Sequence, residues 1–104
     1  MSLDTAFAAL ADPTRRALLE RLATGEHTLS DLASPLPMSL MAVQKHVRFL
    51  EEAELVATYK KGRSRHVRLR REGLGHVAEW LESAEIRWNE AFDRLADVLE
   101  EEQS

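Results

Sequence analysis

Apolar residues recur at the spacing of an α-helix in the first quarter of this chain. Asp12 and Pro13 divide them into two groups, and these residue types suit the cap and the first position of a new helix. Gly25 follows the second group and is a natural helix stop. The pattern therefore predicts two short helices, whose apolar faces hold Leu3, Phe7 and Leu10 and then Leu18, Leu19 and Leu22.

Two more helices are predicted on either side of a tight turn. Ser30 is the expected cap of the third helix, and a short strand could precede it at Thr28 and Leu29. Two prolines end this helix and lead into Ser39, the expected cap of a fourth helix over residues 40–51. This is the order of a helix-turn-helix, in which the second helix is presented to DNA.

The fourth helix is predicted to have one apolar face and an opposite face of long side chains that donate hydrogen bonds. These donors can pair with base edges or phosphates in the major groove, which is wide enough for a helix. Ser39 could also touch a phosphate, and His46 lies at the edge of the apolar stripe, where it either packs or contacts the groove. On this stretch alone an ordinary solvated helix explains the pattern equally well. The predicted DNA-binding residues are Ser39, Met41, Gln44, Lys45, His46 and Arg48.

After this helix the polar pattern changes to a period of two. Residues 56–60 and 66–70 alternate around a glycine-containing turn, which predicts an antiparallel hairpin with Val67 and Leu69 facing inward. We expect its tip and outer face to be basic, which is typical of a wing that contacts phosphates or the minor groove. A solubilising hairpin is the alternative. The expected wing contacts with DNA are Lys61, Arg63, Ser64 and Arg65.

Residues 72–101 carry an apolar stripe with steps of three and four residues. Such a heptad period is typical of a helix that packs along a partner. Glycines at 73 and 75 weaken the first turn, so we expect the firm helix to begin near His76. A small domain cannot cover this stripe, which predicts a homodimer interface. With the first helix beside it, the expected interface residues are Leu3, Phe7, Leu74, Val77, Leu81, Ala84, Trp88, Phe92, Leu95 and Val98.

The net charge of −4 conceals a strong segregation along the chain. Residues 45–71 contain nine basic and three acidic residues, a net charge of +6, whereas residues 72–104 contain two basic and ten acidic ones, a net charge of −8. Local positive charge is what binding to DNA phosphates requires, although an acidic protein partner would also fit it. Arg15 and Arg16 are either solvated or in contact with a phosphate.

Composition narrows the class of protein. A chain of 104 residues fits a single domain over 1–104, mostly α with a small β-hairpin, with the helix-turn-helix and wing in 3–71 and a dimerisation helix in 72–101. It contains no Cys, so disulfides and thiolate metal sites are excluded. No charged-then-apolar leader or long apolar run is present, and we expect a cytoplasmic protein. Nothing resembles a catalytic motif, so we expect no enzyme.

Three phrases of the sequence resemble the ArsR family of winged-helix repressors: LADPTRRALLERL at 10–22, TLSDLA at 28–33 and MSLMAVQKHVRFLEEA at 38–53. The resemblance continues through Leu55 and Val56 and covers roughly residues 5–100. It implies a homodimer on a partly palindromic operator of double-stranded DNA, near its own or neighbouring genes. It also implies that an effector or a modification weakens DNA binding, although no residue indicates which one.

The chain departs from the pattern of this family at several positions. Gln44 stands where the family usually has a small hydroxyl residue, so base preference does not carry over. Glu54 stands where a Gly commonly ends the helix, and a left-handed conformation there is costly for Glu. The thiolate pair of the arsenic and cadmium sensors is absent. His76 and Glu79 are too few for a zinc site without ligands from another subunit, so we expect no metal cofactor.

These observations predict a sequence-specific DNA-binding regulator, a homodimeric repressor on a pseudo-palindromic operator. One alternative is a winged-helix module that binds another protein and not DNA, for which loss of the donor face would be the distinguishing feature. A metal-responsive sensor repressor is the other. Trp80 and Trp88 could line an effector pocket, but aromatic residues on such a stripe are more often ordinary core.

Overall fold

Residues 2–103, which the computed structural model describes, form five helices and three short strands. Met1 and Ser104, the ends of the expected domain, lie outside the described residues. The chain divides into two compact units between Leu74 and Gly75. The mostly helical class with a hairpin and a long C-terminal helix is confirmed. In order, the elements are α1 (Leu3–Leu10), α2 (Pro13–Leu22), β1 (His27–Thr28), α3 (Leu29–Ala33), α4 (Leu40–Glu52), β2 (Val56–Lys61), β3 (Ser64–Leu69) and α5 (Arg71–Gln103).

The first four helices each begin at a side-chain cap. Asp12 caps α2 with Pro13 behind it, and Ser39 caps α4 by accepting the N–H of Ala42 at 3.1 Å. The expected cap of α3, Ser30, is wrong. Thr28 caps that helix, because its backbone is still extended at the end of β1 and its hydroxyl accepts the N–H of Asp31 at 3.1 Å.

The wing belongs to a three-stranded antiparallel sheet in the order β1-β3-β2. The hairpin of β2 and β3 pairs Val56 with Leu69 and closes at Lys61 and Ser64, with Gly62 in the turn at φ +63°. The expected two-stranded hairpin was therefore incomplete, because β1 pairs with β3 through His27 and Val67. This third strand places β3 in the middle of the sheet, next to the helices.

The core of the first unit is made of aliphatic side chains from α1 to α4 and the sheet. Val67 faces it and is fully buried, as expected, whereas Leu69 is only half-buried. Burial of these side chains is the main stabilising term for a unit of this size. The largest fully buried side chains are Leu18, Leu32, Val43, Leu50, Leu55, Val56 and Val67.

The end of α4 meets the start of α5 through an unusual pair of residues. Glu54 adopts φ +61°, the left-handed conformation that is costly for a residue other than glycine. Gly73 lies so close to the Glu54 carbonyl that a Cβ on Gly73 would overlap it. The expectation that the helix begins near His76 is therefore wrong: α5 begins at Arg71, and Gly73 is needed for close approach.

Candidate nucleic-acid interface

The two faces of α4 differ sharply in burial. Val43, Val47 and Leu50 are buried in the core. On the other face Gln44, Lys45 and Arg48 are exposed, and Met41 is 72% exposed. The predicted donor face is therefore intact, which is the feature that the protein-interaction alternative would lack.

His46 is turned toward the start of α2 and away from the donor face. Its Nδ1 lies 3.3 Å from Nη1 of Arg15 and 3.8 Å from Oδ2 of Asp12, and its side chain is 24% exposed. The N–H of Arg15 donates to Asp12 at 3.0 Å and lowers the pKa of that carboxyl below its usual value. Of the two interpretations of His46, these contacts favour the packed ring, and a DNA contact at His46 stays a prediction.

Arg15 and Arg16 have a role that neither interpretation of them anticipated. Arg15 donates from Nε to the carbonyl of Ala9 at 2.7 Å and from Nη2 to that of Ala8 at 2.9 Å. Arg16 donates to the carbonyl of Leu10 at 2.8 Å. Both guanidinium groups thus satisfy carbonyls at the end of α1, where cations interact favourably with the helix dipole.

An open cleft of about 120 Å³ separates α4 from the wing. Its helix wall includes Gln44 and Arg48, and its sheet wall includes Thr58 and Arg65. Arg65 was expected at the tip or outer face of the wing. This is wrong, because Arg65 is two residues from Val67 and therefore faces the helices with it. The cleft joins donors of both elements in one surface, lined by Leu29, Gln44, Val47, Arg48, Glu51, Thr58, Arg65 and Val67.

The rest of the wing is exposed and basic. Lys60, Lys61, Arg63 and Ser64 lie at its tip and are all exposed. On the face of the sheet away from the helices, Tyr59 stacks on His66 with ring centres 5.1 Å apart. A hydrogen bond to the Glu26 carboxylate raises the pKa of the Tyr59 hydroxyl. The basic tip and the donor face of α4 belong to the same compact unit.

The second unit has a different surface. Trp88 and Phe92 are 55% and 66% exposed, whereas Val77 and Ala84 are only 5% and 1% exposed. The participation of Val77 and Ala84 in a dimer interface stays a prediction. Trp80 meets Trp88 edge to face, with ring centres 6.4 Å apart. The exposed apolar positions of the predicted interface are Leu81, Trp88, Phe92, Leu95 and Val98.

The described residues lack two further features, a metal-binding cluster and a membrane-spanning helix. Within 2–103, no three or more His, Cys, Asp or Glu side chains are grouped so that they could hold a metal ion. In the same part of the chain, no helix has the length and apolar character needed to cross a membrane.

Comparison with known proteins identifies the same architecture. A family model described as a helix-turn-helix domain matches residues 10–59. The chain is 38% identical over 101 residues to the HTH-type transcriptional regulator Rv2034 of Mycobacterium tuberculosis, with 97% of this chain and 92% of the relative covered. It is 29% identical over 79 residues to the transcriptional repressor SdpR of Bacillus subtilis, with 76% and 88% covered.

A solved structure extends this similarity to three dimensions. The crystal structure of an ArsR family transcriptional regulator matches with a TM-score of 0.78 and 42% identity. The match covers 84% of this chain and 90% of that one. Sequence and fold therefore agree on one family of transcriptional regulators, which are not enzymes.

Proposed function

The chain belongs to the ArsR family of winged helix-turn-helix transcriptional regulators, and we propose that it is a homodimeric repressor of a pseudo-palindromic operator. Repression as the outcome is supported by the similarity to a protein named as a transcriptional repressor. An operator near its own gene would make the repressor autoregulatory. The proposal places the protein in the cytoplasm, where it meets the chromosome.

One observation carries the proposal: α4 exposes hydrogen-bond donors on the face opposite its buried apolar stripe. In the major groove, Gln44 would pair with adenine and Arg48 with guanine or an adjacent phosphate. Ser39 caps α4 and would touch a phosphate beside it. Met41 and Lys45 complete the reading face, and Lys61, Arg63, Ser64 and Arg65 of the wing would hold the DNA backbone.

The dimer is proposed to form along α5. Its exposed apolar positions recur with a heptad period, and a second copy of the helix would cover them. The participation of Leu3 and Phe7 of α1 stays a prediction. A two-fold dimer places its reading helices on half-sites about one helical turn, roughly 34–36 Å, apart. The pseudo-palindromic operator follows from that symmetry.

A binding titration tests this proposal. The protein is titrated with DNA from its own promoter region at several salt concentrations, with and without EDTA, and with a scrambled DNA of equal length as the control. We expect tight, salt-sensitive binding that prefers the promoter DNA. Equal affinity for both DNAs at every salt concentration would contradict the proposal and favour the protein-interaction module.

The EDTA series tests the expectation that no metal is needed. Affinity that is unchanged by EDTA is the expected result. A change on chelation would instead support the metal-responsive alternative, with His76 and Glu79 as the first residues to replace.

A further inference from the structure

A chain of hydrogen bonds crosses the cleft between α4 and the wing. Glu51 of α4 accepts with Oε2 from the hydroxyl of Thr58 at 2.6 Å and from the N–H of Thr58 at 3.2 Å. The Thr58 hydroxyl in turn accepts from Nη2 of Arg65 at 2.9 Å. Three elements, α4, β2 and β3, are therefore joined through one threonine side chain.

The direction of this chain is fixed by chemistry. A threonine hydroxyl has one proton to donate. Because the ionised Glu51 can only accept, the Thr58 proton points toward Glu51 and a lone pair is left for Arg65. Bonds in which one partner is charged are the stronger ones, and both ends of this chain are charged. The Thr58 hydroxyl is thus held in one orientation, and it anchors the guanidinium group of Arg65 through Nη2.

Arg65 is held in a place that suits contact with DNA. It is an exposed residue on the sheet wall of the cleft, opposite Arg48 of α4. A guanidinium has five N–H donors in a fixed fork, and the bond to Thr58 uses one of them. The remaining donors suit a phosphate oxygen pair, and contacts of that kind set the register of a protein on DNA.

We propose that Thr58 and Glu51 are positioning residues that orient Arg65 toward a backbone phosphate of the DNA. This phosphate would lie over the cleft between α4 and the wing. The inference rests on the proposed DNA binding. It distinguishes Arg65 from the wing tip: Arg63 would bind the backbone from an exposed turn, whereas Arg65 binds from a position held by Thr58. Preorganisation matters because an arginine side chain otherwise loses considerable rotamer freedom on binding.

A double-mutant cycle on the full-length protein tests this role. Thr58→Val removes the hydroxyl but keeps the shape, and it is measured in the wild-type and in the Arg65→Ala background with promoter DNA. We expect Thr58→Val to weaken binding about fivefold in the wild type and by less than about twofold in the Arg65→Ala background. Thr58→Ser, which keeps the hydroxyl, should restore binding to within about twofold of the wild type.

Two controls separate positioning from folding. The same cycle with Arg63→Ala should be additive, because Arg63 has the same charge but lies beyond the Lys61–Ser64 end of the hairpin. Urea unfolding of each variant identifies any that is not folded, and Thr58→Ala repeats the cycle if the valine is not tolerated.

The outcomes distinguish the inference from the proposed function. Equal losses in both backgrounds, no loss in the wild type, or a serine variant as weak as the valine variant would each overturn the positioning role. Wild-type protein that does not prefer its promoter DNA would overturn the proposed function and this inference with it. Selective wild-type binding without coupling would overturn the inference alone.

Discussion

The guanidinium carbon of Arg15 lies 4.1 Å from the centre of the Phe49 ring, so that a residue of α2 rests on a residue of α4. The same guanidinium bonds to the last turn of α1 through the carbonyls of Ala8 and Ala9. Arg15 therefore fixes the proposed reading helix relative to two other helices, and it does so without any part in the exposed donor face.

Replacing Arg15 should consequently affect stability. Arg15→Lys keeps the charge but cannot hold both carbonyls and stack on Phe49, so we expect a loss of about 1–3 kcal/mol in the free energy of unfolding. Urea unfolding measures it. The matched control is Arg16→Lys, which affects one exposed bond to Leu10 and should cost less than about 1 kcal/mol. Equal losses for the two variants would contradict the view that the second carbonyl bond of Arg15 and its stacking on Phe49 fix α4 in place.

Alanine substitutions at two glycines of α5 should change the stability in opposite directions. A methyl group on Gly73 would overlap the backbone carbonyl of Glu54, whereas nothing lies within 4 Å of the corresponding position on Gly75. We expect Gly73→Ala to destabilise the protein by about 1–3 kcal/mol and Gly75→Ala to stabilise it by about 0.5–1 kcal/mol. Thermal or urea unfolding of both variants is the measurement, and a stable Gly73→Ala variant would contradict the close approach of Gly73 to Glu54.

The positive charge of the wing tip should increase the affinity for DNA of any sequence. Arg63→Ala is expected to weaken binding to promoter and scrambled DNA alike and to reduce the slope of log affinity against log salt by about one. Arg94→Ala, which removes an equal charge from α5, is the control and should leave the slope unchanged. If the Arg63 variant keeps the wild-type slope, the wing tip does not contact phosphates.

The proposed dimer can be tested by two glutamate substitutions on the same helix. Trp88→Glu places a charge in the heptad stripe and should give a monomer at micromolar concentration, measured by sedimentation or light scattering. Ile86→Glu is the matched control, because Ile86 is 60% exposed but lies outside the stripe. A Trp88 variant that remains a dimer would move the interface elsewhere.

Much of the fold could be predicted because its signals are local. Ser39 and Asp12 are caps whose partners lie three residues away, and the stripe of Val43, Val47 and Leu50 follows from helical geometry alone. The hairpin was predictable for a similar reason, since its period and its Gly62 turn stand together in the sequence.

The features that could not be predicted depend on contacts between distant residues. A short strand was expected at Thr28 and Leu29 and lies one residue earlier, at His27–Thr28, but its pairing with β3 about 40 residues later could not be predicted. The close approach of Gly73 to Glu54 joins residues that are far apart in sequence, and the role of Arg15 depends on carbonyls in another helix. For Arg65 a signal was available, because its spacing from Val67 already indicated the inner face of the hairpin.

The central claim is that the exposed face of α4 reads base pairs, and Arg48 tests it most directly. Base preference at every operator position is measured for the wild type and for Arg48→Ala with a library of operator variants. We predict that the variant loses about 1–3 kcal/mol of affinity and its preference at one position in each half-site. An unchanged affinity and an identical preference at all positions would contradict the claim that this face of α4 reads the DNA.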